Sequence, residues 1–167
     1  RLAYGSERWN PHGCNCRDVV GRMEKVKIAI IGKARLVPPE ELMQYDEVWT
    51  VGTNPIEANM YLCLHGEQTR NPEKECSWEK LEWLPEAYKG APLVNSICVM
   101  LAVLAAMVSA EFCCPEIHIL ASPLIATKER AEERPAVAYW VGLLQGLGAT
   151  VYWEGGFKRA LPYMWED

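Results

Sequence analysis

The sequence predicts an α/β fold, one domain built on a parallel sheet of about five strands with helices on both faces. Three observations carry this. Short β-branched apolar runs alternate with helical patterns, the arrangement that crossover helices between parallel strands produce. The run Val26 to Ile31 is apolar at nearly every position and ends at Gly32, as a central strand covered on both faces does. From Ile97 to Val108 every residue is apolar, which requires a helix buried nearly all round yet too short to span a bilayer. Right-handed crossovers then give the strand order 3-2-1-4-5, a Rossmann-like arrangement.

In chain order, strand one is Val26–Ile31. Pro38-Pro39-Glu40-Glu41 opens a short helix, with proline in the first turn and acids favoured by the dipole. Glu47–Val51 is strand two, closed by Gly52-Thr53-Asn54-Pro55, and Met60–Leu64 is strand three. Residues 68–92 are polar and broken by proline, with one amphipathic piece from Trp78 to Leu84 whose Trp78 and Trp83 are expected to cover the core. Asn95 or Ser96 caps the apolar helix, which runs to Glu111. Ile117–Ala121 is strand four and Ala149–Trp153 strand five. Between them Val137, Trp140, Val141 and Leu144 recur at helical spacing, with Pro135 in the first turn and Gly146 and Gly148 at the end.

The chain has 167 residues, half of them apolar and 23% charged, enough for a real core in one domain. Its 17 basic and 22 acidic side chains give a net charge of −5, which argues against duplex nucleic acid as a partner. No segment is apolar for long enough to predict a membrane span. Residues 1–22 carry no helical or strand period and no signal-peptide core; they read as an extension or flexible arm ahead of Met23, a plausible start, with the domain proper at 23–167. The seven cysteines read as reduced thiols, Cys63 and Cys98 as small buried hydrophobes. His12, Cys14 and Cys16 lack the further ligands of a structural zinc site, so no metal is expected.

In an open parallel sheet, ligands bind beyond the carboxyl ends of the strands. That rule selects Gly32, Lys33 and Arg35 after strand one, Gly52, Thr53 and Asn54 after strand two, and His65 and Glu67 after strand three. Ser122, with Lys128, Arg130 and Arg134, follows strand four; Glu154, Gly155 and Gly156 follow strand five. Asn95 and Ser96 open the apolar helix, whose free N–H groups suit an anion. His65 is the candidate catalytic residue, imidazole being the side chain for acid–base work near neutrality. Gly32, Lys33, Asn54, Ser96 and Arg134 are the candidate ligand-binding residues. Each also has a plainer reading as a turn, a cap or a solvated charge. No Gly-x-Gly-x-x-Gly and no Gly-Lys-Ser or Gly-Lys-Thr occurs.

The stretch Glu129 to Gly142 resembles a motif of small Rossmann-like proteins of unknown function encoded by tailed phages, in which Arg-Pro precedes a helix with a spaced Tyr and Gly. Arg134, Pro135, Tyr139 and Gly142 match it. Val48 to Asn54 resembles their second-strand motif ending in Asn, His65 a His ending strand three, and Ser96 a Ser opening the buried helix. A more distant similarity, spread over the same strand ends, is to the family-42 sialyltransferases and the pterin pyrophosphokinase-like proteins. It implies a nucleotide or nucleotide-sugar site at this edge. Three departures count against carrying over the reaction: Gly32-Lys33-Ala34-Arg35 lacks the glycine-rich loop, Ser122 replaces an acid, and no histidine follows His118.

Two expectations result. One is a protein binding a nucleotide or similar small anionic ligand, with a nucleotide-dependent transferase as its enzymatic form. The other is a non-enzymatic phage virion or host-interaction protein with a phage or host protein as partner. The phage resemblance implies the cytoplasm of an infected cell or the virion as location.

Overall fold

A computed structural model describes residues 26–63, 71–77, 81–111, 114–122 and 132–154. Its strands are β1 (Lys27–Ile31), β2 (Glu47–Val51), β3 (Met60–Cys63), β4 (Glu75–Ser77), β5 (Glu116–Leu120) and β6 (Thr150–Trp153). Its helices are α1 (Pro39–Leu42), α2 (Glu86–Lys89), α3 (Ser96–Glu111) and α4 (Glu133–Gly146). All strands pair in parallel, in the order β4-β3-β2-β1-β5-β6. The expected order is present within it, with β1 at the centre. The sheet has six strands rather than five, because Glu75-Cys76-Ser77 adds an edge beyond β3. One buried side chain, Cys76, suffices to seat a three-residue edge strand, and so short a signal is lost in a polar, proline-broken stretch.

Register assigns the two faces, since paired residues of parallel strands point the same way. Ile28, Ile30, Trp49, Met60, Leu62, Ile117 and Ile119 face α3 and α4 in the larger of two buried clusters. The apolar run of α3 is enclosed by the sheet, by α4 and by Leu81, Leu84, Tyr88 and Leu93, with Cys98 to Val103 fully buried. Burial pushes the Cys98 thiol up to about 12, so it stays a neutral packing group. In α4 the expected stripe of Val137, Trp140, Val141 and Leu144 is buried, and Gly148 leaves the helix at φ +98°, where a side chain would be strained.

The opposite face is covered differently. Ala29, Ile31, Val48, Tyr61 and Cys63 pack with Val37, Leu42, Ile56 and Ala58, supplied by α1 and by loops. Over β5 and β6 this face is only partly covered among the described residues. Tyr45, His118 and Tyr152 stand in a row with ring centroids 5.1 and 4.7 Å apart, and Tyr152 is exposed. Trp83 is also exposed. Leu81 and Leu84 cover the core in its place, while Trp78 lies outside the described residues.

Candidate ligand site at the carboxyl edge

Since α3 and α4 each lead into a parallel strand, both run antiparallel to the sheet. Their N-termini therefore lie at the carboxyl edge, where β1, β2, β5 and β6 end. Ser96 is the first residue of α3, and the cap is Asn95: its Oδ1 accepts the Cys98 N–H at 2.8 Å. The Asn95 Nδ2 is buried with no hydrogen-bond partner among the described residues. Arg134, in the first turn of α4, lays its guanidinium over the Trp153 ring, 5.4 Å from the centroid. Trp153 is fixed in turn by its indole N–H, which donates to the Ser122 carbonyl at 2.8 Å.

The β1–β2 end is built from the same residue types and is closed. Asn54 is buried, and its Nδ2 donates to the Gly32 carbonyl at 3.1 Å and to Thr50 Oγ1 at 2.9 Å. Thr50, also buried, donates to the Ile31 carbonyl. Asn54 thus stitches the turn after β2 to the end of β1. Gly32 donates its N–H to the Leu120 carbonyl, and Ala34 donates to the Ala121 carbonyl, both at 2.9 Å. A Cβ at Gly32 would stand 2.5 Å from the Ala121 oxygen and 2.8 Å from Ser122 Cβ. Glycine is needed there because two chain segments touch at the point where the strand order reverses. Lys33 is exposed beside this contact.

The candidates therefore fall into two groups along one edge. Gly32, Lys33 and Asn54 stand at the β1–β2 end, Ser96 and Arg134 at the α3–α4 end. His65, Glu67, Lys128, Arg130, Gly155 and Gly156 lie outside the described residues, as do residues 1–22 with His12, Cys14 and Cys16. Sequence reasoning did not single out Trp153, whose signal was only its place as the last residue of a strand. It also did not give Arg35 and Glu154 a role. Arg35 is held between two carboxylates, Glu41 at 2.8 Å and Glu154 at 3.1 Å, which raise its pKa above the ordinary value. Glu154 is lowered, first by the Ala121 N–H it accepts and then by Arg35.

Among the described residues no three His, Cys, Asp or Glu side chains are placed to hold a metal ion. No described helix is long and apolar enough to cross a membrane. Comparison with known proteins returns no match: no family model fits the sequence, and neither a curated protein nor a solved structure matches it.

Proposed function

We propose that the protein binds a nucleotide or nucleotide derivative at the carboxyl edge of its sheet, between the N-termini of α3 and α4. The observation that carries this reading is the meeting of donors with an aromatic ring. The opening turn of α3 and Asn95, whose Nδ2 has no hydrogen-bond partner among the described residues, stand at the same edge as Arg134 on Trp153. Helix N–H groups and a guanidinium suit phosphate oxygens, and an indole suits a base or ring. Gly32 and Asn54 serve this site by fixing the strand ends, and Lys33 supplies a cation at the edge. The more distant similarity to family-42 sialyltransferases and pterin pyrophosphokinase-like proteins supports the same reading, and the resemblance to phage-encoded Rossmann-like proteins, with Arg134, Pro135, Tyr139 and Gly142 as its core, supports an origin of that kind.

A thermal-shift panel of nucleosides and nucleoside mono-, di- and triphosphates tests it. A concentration-dependent rise in Tm with the phosphorylated compounds, lost in Arg134→Ala, is expected; a flat panel overturns the reading. His65→Ala separates the enzymatic form from plain binding, since it abolishes turnover only where there is turnover. The second reading is an interaction protein of virion or host, and a specific observation favours it. The face of β5–β6 bearing His118 and Tyr152 is only partly covered among the described residues, whereas parallel sheets are ordinarily covered on both faces.

A further inference from the structure

The strongest cluster outside the proposed nucleotide site lies where the strand order reverses. Arg35, on the loop after β1, has Nε 3.1 Å from Glu154 Oε1 and Nη2 3.3 Å from Glu154 Oε2. Its other edge meets Glu41 of α1, Nη2 to Oε1 at 2.8 Å and Nη1 to Oε2 at 3.1 Å, and Nη1 also donates to the Leu36 carbonyl at 3.4 Å. The Glu154 carboxylate accepts one more bond, from the Ala121 N–H to Oε2 at 2.7 Å. Ala121 makes that bond from φ +51°, the only non-glycine residue at positive φ among those described. A left-handed alanine is unfavourable by itself, and here both of its neighbouring main-chain groups are tied. The Ala121 carbonyl accepts from Ala34 and the Ser122 carbonyl from Trp153.

Glu154 is therefore held as a bound anion is held, by a guanidinium edge and by a main-chain N–H at the end of a central strand. Its low pKa is the consequence of that hold. We propose that Arg35 and the Ala121 amide form an oxyanion site at the switch point, occupied in cis by the Glu154 carboxylate, and that a small carboxylate or phosphate competes with Glu154 for it. Glu41 keeps the guanidinium in place when Glu154 leaves, so the cradle is preformed. Glu154 follows directly on β6 and is partly exposed, so it can swing out without unpairing the sheet. The local charge agrees: two carboxylates around one guanidinium leave −1, and an anion replacing Glu154 restores what the site already holds. Because free oxyanions suffice as ligands, the proposal does not rest on the nucleotide reading.

Acetate and phosphate titrations of the full chain test this at fixed ionic strength, with the Ala121 amide resonance and Tm as readouts. Wild type, Glu154→Ala and the Arg35→Ala/Glu154→Ala double variant are compared. Glu154→Ala is expected to bind about two- to threefold more tightly than wild type, the factor that a screened, half-exposed competing carboxylate corresponds to. The Ala121 amide shifts on binding, and the double variant does not respond. Should Glu154→Ala be unfolded alone, refolding by acetate or phosphate supports the proposal. If neither anion refolds it, Glu154→Gln, which keeps an acceptor oxygen and loses the charge, replaces it in the same comparison. Anion binding by the single variant no tighter than by wild type, or retained in the double variant, overturns the proposal.

Discussion

The two ends of the carboxyl edge are made of similar residues and do different things. At the β1–β2 end, Asn54, Thr50 and Gly32 satisfy one another, and the turns they join touch at Ala121. At the α3–α4 end stand a helix N-terminus, an Asn95 Nδ2 with no hydrogen-bond partner among the described residues, and the Arg134–Trp153 stack. Position beyond a strand end therefore selects a neighbourhood, and the partners each side chain takes decide its role within it. A buried amide with two internal acceptors fixes the backbone; one with an orphan N–H invites a ligand or a water.

Substitution can break this contrast most forcefully at Gly32. Any side chain there meets main chain, which cannot swing aside, so Gly32→Ala is expected to destabilise by about 2–3 kcal/mol through overpacking. Urea unfolding measures it. A loss below ~0.5 kcal/mol would mean that the two turns are not in contact. Asn54→Ala follows at about 2 kcal/mol, since it leaves the buried Gly32 carbonyl without its Asn54 donor. The same denaturation experiment reads it, with no change expected in m. Were Asn54 instead a ligand contact, its loss would leave stability nearly untouched.

The cap of α3 provides a smaller and sharper comparison. Asn95→Ala removes the Cys98 N–H acceptor and is expected to cost about 1 kcal/mol. Ser96→Ala should change stability by less than ~0.5 kcal/mol, since alanine is the better helix former at a first-turn position that does no capping. Equal losses in the two variants would return the capping role to Ser96.

What could be read from the sequence follows the size of the physical signal. The central strand, the all-apolar α3 and the α4 stripe are long periodic patterns set by burial, and each is found where its residues predict. The edge strand β4 and the choice of Asn95 over Ser96 depend on one or two contacts, which periodicity does not register. The candidate site shows the same division. Carboxyl-edge topology points to Gly32, Asn54, Ser96 and Arg134 as a neighbourhood. Which amides are engaged depends on long-range partners such as Ala121 with Glu154, 33 residues apart.

Glu154 carries a pH dependence whose sign follows from its hold. Its folded pKa lies below the ordinary carboxylate value of 4.5. Its contribution is therefore complete above the unfolded value and is lost as pH falls through the folded one. Half-exposed and screened, it is expected to be worth about 0.5 kcal/mol or less. Stability of the wild type should fall more steeply below pH 4.5 than that of Glu154→Gln, measured by urea midpoints across the acid range. Parallel profiles would mean that the Ala121 amide does not hold the carboxylate.

The finest test is at Ala121 itself. A left-handed alanine costs about 1–2 kcal/mol relative to its preferred conformation, and glycine avoids that cost at about 0.5–1 kcal/mol of extra unfolded-state entropy. Ala121→Gly should then stabilise by about 0.5 kcal/mol, a small increase that denaturant unfolding resolves in replicate. The gain has a condition: Glu154, Ala34 and Trp153 must hold the turn as tightly around glycine as around alanine. Amide exchange at residue 121 decides whether they do. A more stable variant with unchanged protection shows that the strain is local and that the anchors alone fix the turn. A less stable variant with faster exchange shows that the alanine methyl, buried in the smaller cluster, is what keeps this end of the edge closed.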